Sequence, residues 1–100
     1  MSVYLSPLGG AGWQFFNNTG QPLAGGLIYT YAAGTSTPTA TYTSSLGTIA
    51  NSNPITLDAN GRPPSQIWLT SGVRYKLILQ DASAVQIWSN DNIAGINDPS

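Results

Sequence analysis

The feature that most limits how this sequence can fold is a series of short runs in which apolar and polar residues alternate. Turn-forming residues bound each run. No segment sustains the periodicity of an amphipathic helix. Six runs combine β-branched or aromatic residues with flanking Gly, Pro, Asn or Asp, which is typical of strands. They span residues 27–31, 39–43, 54–57, 66–70, 73–80 and 84–88. The sequence therefore predicts an all-β fold, a small two-sheet β sandwich or dome of about six short antiparallel strands with an extended N-terminal segment.

The fifth predicted strand shows the alternation most clearly. Tyr75, Leu77 and Leu79 fall on one face, while Arg74 and Lys76 fall on the other. Because charged side chains are rarely buried, the face with the three apolar residues is predicted to be the core face. The two cations are then expected to be accessible, or paired across a boundary between subunits.

Two aspartates stand at predicted turns, Asp58 ahead of the Asn60-Gly61 pair and Asp81 after the fifth strand. The spacing from Asp58 to Gly61 resembles the opening of a calcium loop, but such a loop needs a Glu, and the chain has none. Asp58 and Asp81 could also form a glycosidase pair, although nothing in the sequence places them at a catalytic distance. Ordinary turns are the favoured interpretation, and no metal ligand or catalytic residue is predicted.

A very low content of charged residues restricts the function. The 100 residues include three Lys or Arg, four Asp, no Glu, no His and no Cys. A chain without a basic face is a poor partner for nucleic acid. The lack of His removes the usual general base, and the lack of Cys removes thiol nucleophiles and thiolate zinc ligands. We therefore predict that the protein is not an enzyme and binds no cofactor, metal or nucleic acid.

Membrane partners are not predicted either. Gly, Pro, Ser, Thr or Asn interrupts every apolar stretch before it reaches the length of a transmembrane helix. The N-terminal residues lack the positive charge and the continuous apolar run of a secretory signal.

The chain has the length of one domain, and its composition divides it into three parts. Residues 1–25 are predicted to be an extended docking segment, 26–90 the β core, and 91–100 an exit linker without a strand. The docking segment has no charged residue and contains an aromatic cluster at 13–16, which suggests burial against a neighbour. Packing of that cluster as an edge strand on the chain's own core is the alternative. The candidate docking and interface residues are Trp13, Phe15, Phe16, Leu23, Tyr29, Tyr31, Trp68 and Trp88.

Five blocks of the sequence together resemble a known family of domains. They are GQPLAGGLIYTYAAGT at 20–35, NPITLDANGR at 53–62, IWL at 67–69, YKLILQD at 75–81 and IWSNDNI at 87–93. In this order they resemble the virion-anchoring, head-binding-like domains at the N-termini of bacteriophage tailspikes and tail fibres. The resemblance covers about residues 13–98, and it depends on the ordered set of blocks rather than on any one of them.

The resemblance implies a structural function rather than a catalytic one. It implies a homotrimeric β domain that attaches a fibre or spike to a tail, adaptor or baseplate protein of the virion, after synthesis in the host cytoplasm. Such domains usually continue into a receptor-binding or glycan-cleaving part. Either a short adaptor or the base of a longer protein is therefore expected here.

A carbohydrate-binding β sandwich is the main alternative function. In that interpretation Trp68 and Trp88, together with the tyrosines, form a platform on which sugars stack. The alternation of these residues along strands explains them equally well as core and interface residues.

Overall fold

The computed structural model describes residues 3–7 and 13–96, and these form six strands in two antiparallel sheets. The strands are β1 (Val3–Leu5), β2 (Leu27–Ala32), β3 (Ile55–Thr56), β4 (Trp68–Thr70), β5 (Tyr75–Gln80) and β6 (Gln86–Ile93). One sheet pairs β1 with β4, and the other has the order β3-β2-β5-β6. The described residues contain no helix. The predicted all-β, two-sheet class is confirmed.

Strands β2 and β5 form the centre of the four-stranded sheet. They pair along their whole length, from Leu27 opposite Gln80 to Ala32 opposite Tyr75. Alternation turns Ile28 and Thr30 of β2 inward, together with Tyr75, Leu77 and Leu79 of β5, and each is at most 1% exposed. The predicted core face of the fifth strand is therefore confirmed. The whole core cluster consists of Phe15, Leu23, Ile28, Ile55, Leu57, Ile67, Leu69, Tyr75, Leu77 and Leu79.

Tyr75 joins the core to the second layer. Its ring is fully buried, and a buried phenol needs hydrogen-bond partners. The hydroxyl donates to the carbonyl of Ala40 at 2.7 Å and accepts the N–H of Thr70 at 3.1 Å. Both partners lie outside the four-stranded sheet, so this side chain stabilises the packing of the layers.

The prediction of a strand at 39–43 is wrong. Thr39 donates its N–H to Thr30 of β2, whereas Tyr42 exchanges two backbone hydrogen bonds of 2.8 Å with Trp68 of β4. The segment therefore crosses from one sheet to the other within a few residues. Neither sheet pairs with enough of it to make a strand, and it contributes isolated bridges instead.

The prediction of an exit linker from residue 91 is also wrong, because β6 continues to Ile93. Two register shifts interrupt its pairing with β5, so this strand has no regular alternation for sequence reasoning to detect. Beyond β6 the chain packs against β1. The N–H of Ile96 donates to Leu5 at 2.7 Å, and a Cβ on Gly95 would lie 2.5 Å from the Cβ of Tyr4. Residues 97–100 lie outside the described residues.

The predicted boundary at residue 25 does not match the packing. Val3, Tyr4 and Leu5 form β1 and pair with β4, and Phe15 and Leu23 belong to the core. Residues 1–2 and 8–12 of the predicted segment lie outside the described residues.

Candidate docking surfaces

Three five-residue loops, at 17–21, 58–62 and 81–85, share one pattern of internal hydrogen bonds. In each, the first side chain accepts the N–H groups of the third and fifth residues through one oxygen, as Asx turns do. The distances are 3.0 and 3.0 Å for Asn17, 2.8 and 3.0 Å for Asp58, and 2.9 and 3.0 Å for Asp81. The backbone N–H of the first residue also donates to the carbonyl of the fifth. The turns predicted at the two aspartates are therefore present, as self-contained loops.

The fourth residue of each loop has a positive φ, namely 83° at Gly20, 75° at Gly61 and 64° at Ala84. This conformation is unstrained for Gly but costs an L-residue about 1–2 kcal/mol. The loop at 81–85 therefore adopts the same shape as the others with a less suitable residue.

The loop hydrogen bonds also change the acidity of Asp58. The N–H groups of Arg62 and Asn60 hold the pKa of its carboxyl below the ordinary value of 3.8, and the charge of Arg62 adds a smaller effect in the same direction. The carboxylate thus organises its own loop, which agrees with the turn interpretation.

The described residues contain no group of three or more His, Cys, Asp or Glu side chains placed to hold a metal ion.

The three loops and the aromatic cluster share one end of the four-stranded sheet. Phe15 donates its N–H to the carbonyl of Gly61 at 2.8 Å, and the Gln14 amide donates to the carbonyl of Asn60 at 2.7 Å. Gly25 donates to the carbonyl of Asp58 at 3.2 Å, and a Cβ on Gly25 would lie 3.3 Å from the Cβ of Ala82. We call this region, residues 13–25 with loops 58–62 and 81–85, the turn end.

Within the aromatic cluster the side chains divide between core and surface. Trp13 and Phe16 are each 48% exposed, whereas Phe15 between them is buried. The Trp13 ring meets the edge of the Phe15 ring at a centroid distance of 6.5 Å. The prediction that Phe15 and Leu23 serve as docking residues is corrected here, because both are buried in the chain's own core. Phe15 packs on the chain's own core, as the alternative held, although it lies in no strand, and Trp13 and Phe16 remain candidates.

A second candidate surface lies on the side of the four-stranded sheet that faces away from the core. We call it the outer face and define it by Leu27, Tyr29, Tyr31, Lys76 and Ile78, all partly buried. The two tyrosine rings are parallel within 7° at a centroid distance of 6.1 Å. Lys76 places its Nζ 5.7 Å from the centre of the Tyr31 ring, a cation–π contact.

Trp68 and Trp88 are not brought together. Trp68 lies on β4 in the two-stranded sheet, and its ring N–H donates to the Gln66 side chain at 2.8 Å. Trp88 lies on β6 at the edge of the other sheet and packs against the core cluster. The two rings therefore belong to different layers, and no shared platform of these two residues is observed.

A third surface was missed by sequence reasoning. Leu46 is 75% exposed and Ile49 is 66% exposed, both on the loop at 43–50. The base of this loop is held by a 2.9 Å hydrogen bond from Thr43 to Ile49. Below it, the Asn51 amide donates to Tyr42, Thr41 and Gln66 at 3.1–3.2 Å. Two apolar residues in a Ser/Gly/Thr-rich run without charge were the only signal, and it is a weak one.

No family model matches this chain, and none of the curated proteins matches it either. No helix among the described residues has the length and apolar character to cross a membrane.

Proposed function

We propose that this chain is a structural protein of a bacteriophage virion, which anchors a tail fibre or tailspike to the tail through a homotrimeric β domain. The ordered sequence blocks support this function, and the confirmed all-β fold agrees with it. In this proposal the protein catalyses no reaction, and its partners are further copies of itself and a tail, adaptor or baseplate protein.

The observation that carries the proposal is the turn end. Trp13 and Phe16 project from it with about half of each side chain exposed, although aromatic side chains of this size are usually buried. Neither is the end of a loose segment, because Gln14 and Phe15 between them are hydrogen-bonded to loop 58–62. The backbone that carries the two rings is thus held in place before any partner binds.

Rigid presentation favours tight docking. A surface that is ordered in advance loses little conformational entropy on binding, so more of the contact energy contributes to affinity. Buried Trp and other aromatic side chains commonly supply most of that energy at protein interfaces. Three copies of the same end on a trimer would add avidity.

The test is attachment of purified chain to particles assembled without it. A double variant, Trp13→Ala with Phe16→Ala, is expected to bind the particles about tenfold more weakly or worse. Arg74→Ala is the control, because Arg74 is exposed and precedes β5, at the end of that strand away from the turn end. Point substitutions are preferred to a deletion, since Phe15 and β1 belong to the folded domain.

The binding results distinguish docking through the turn end from docking elsewhere and from a different function. Normal binding by the control and weak binding by the double variant would support docking through the turn end. Normal binding by both variants would move the docking surface elsewhere. Failure of the unmodified chain to bind any tail component would overturn the proposed function itself.

A further inference from the structure

Besides the turn end, the described residues form two apolar surfaces on opposite layers, one partly buried and one exposed. The outer face belongs to the four-stranded sheet and points away from the core. The loop at 43–50 belongs to the other layer, because Tyr42 at its base pairs with Trp68 of β4. The core lies between these layers, so Leu46 and Ile49 do not cover the outer face of their own chain.

The outer face is unusual for an antiparallel sheet. When one face of such a sheet packs on a core, the other is normally polar and solvated. Here the outward positions of β2 are Leu27, Tyr29 and Tyr31, and Ile78 of β5 stands opposite Tyr29. Three polar residues, Thr56, Gln80 and Ser89, lie on the same side of the sheet around this apolar group. Lys76 is the one charged residue of the five that define the face, and its ammonium lies near the Tyr31 ring. A surface of this composition is stabilised by an apolar partner.

The loop at 43–50 has the complementary character. It contains no charged residue, and its two apolar side chains are exposed by 66% or more. Backbone hydrogen bonds from Thr43 to Ile49 and from Gly47 to Ser44 fix its shape. It is therefore a small, preorganised apolar projection rather than a loose loop.

We propose that the loop at 43–50 of one copy packs Leu46 and Ile49 against the outer face of the next copy. The occupant of the outer face is thus a second copy of this chain. A closed three-membered ring has no two-fold axis between neighbours, so each contact must join two different surfaces. The chain supplies two such surfaces on opposite layers. The number three depends on the proposed function, whereas the head-to-tail contact follows from the two surfaces.

Sedimentation of the purified full chain tests this contact. The unmodified chain is expected to sediment at three times the chain mass. A loop variant, Ile49→Lys, and a face variant, Ile78→Lys, are each expected to sediment as monomers. Val85→Lys is the control, because Val85 is a similarly exposed apolar residue at 59% and lies in neither surface.

Mixing the two variants tests whether the loop and the face contact each other. The face variant still has an intact loop, and the loop variant still has an intact face, so one productive contact remains between them. The mixture is expected to give a species of twice the chain mass that does not close into a ring. Monomers in the mixture would show that the loop and the face do not contact each other, whereas a symmetric loop-to-face contact would make the unmodified chain sediment at twice its mass.

Cross-linking provides a readout that does not depend on loss of assembly. The chain has no cysteine, so engineered thiols have no competitors. The double variant Ile49→Cys with Ile78→Cys is expected to form covalent dimers and trimers on oxidation. Each single variant is expected to remain uncross-linked, whereas face-to-face packing would cross-link Ile78→Cys alone.

Two results would overturn the proposal. One is an unmodified chain that sediments as a monomer at micromolar concentration or above. The other is an oligomer that persists in folded Ile49→Lys and Ile78→Lys variants; if Ile78→Lys does not fold, the milder Ile78→Thr and the cross-linking result decide. Binding of the Trp13 and Phe16 variant to particles is a separate measurement, so failure of this contact leaves docking through the turn end intact.

Discussion

The loops at 58–62 and 81–85 make the same internal hydrogen bonds but occupy different surroundings. In both, an aspartate accepts two N–H groups of its own loop, and the fourth residue has a positive φ. Around Gly61 there is no room, since a Cβ there would lie 2.5 Å from the carbonyl oxygen of Phe15 and 2.7 Å from the nitrogen of Leu23. Ala84 already has a Cβ and is exposed.

This difference shows that an identical local motif serves two purposes. The loop at 81–85 reverses the chain between β5 and β6 and leaves Ala84 exposed, so it tolerates a residue that its φ disfavours. The loop at 58–62 is also a packing surface for residues 14–25. There the lack of a side chain at Gly61 allows the close contact of three chain segments. The following predictions test this distinction.

The largest effect is expected for Gly61→Ala. The positive φ and the backbone contacts both oppose a Cβ, so the free energy of unfolding should fall by roughly 2–5 kcal/mol. Gly20→Ala is the matched control, because Gly20 has a similar φ of 83° but nothing within 4 Å of its Cβ position. Urea unfolding of both variants measures the difference, and equal losses would show that φ alone matters.

A smaller effect is expected for Asp81→Ala. Removal of the side-chain acceptor leaves the N–H groups of Ser83 and Val85 to water, with a loss of about 1 kcal/mol. Asp81→Asn should recover most of it, since Asn17 makes the same contacts in its own loop. Thermal unfolding of both variants is the measurement. A loss in Asp81→Asn as large as in Asp81→Ala would mean that the charge, not the acceptor, organises the loop.

Ala84→Gly is expected to stabilise the protein. Relief of the positive φ of 64° should outweigh the added flexibility of glycine in the unfolded chain, with a net gain of about 0.5–1 kcal/mol. Thermal unfolding also measures this change. A decrease in stability would contradict the idea that this loop is strained at its fourth residue.

The smallest effect concerns acid stability. Because folding lowers the pKa of Asp58 below 3.8, its ionised form contributes stability above that pH. The contribution is lost as the pH falls through the pKa of the folded state. Asp58→Asn cannot titrate, so its urea midpoint should fall less than that of the unmodified chain between neutral and strongly acidic pH. Parallel decreases in both proteins would contradict the role given to this carboxylate.

The candidate docking residues divide in a way that sequence reasoning could not foresee. Trp13, Phe15 and Phe16 are similar in sequence context, yet Phe15 alone lies in the core. The bridge from Phe16 to Pro22 and the hydrogen bond from Phe15 to Gly61 decide which ring points inward. Gly61 is distant in the chain, and no local pattern specifies it as a partner of Phe15.

What the sequence by itself determined is the class of fold, the central strands β2 and β5, the core face of β5 and the turns at Asp58 and Asp81. The physical reason is that alternation and turn chemistry are local, since each depends on a few neighbouring residues. The tertiary structure alone decided that residues 39–43 cross between sheets and that β6 continues through its bulges to Ile93. It also decided that the aromatic cluster and the loops meet at one end. These features depend on pairing between distant segments, whose free energy comes from shared burial rather than from any one segment's own preference.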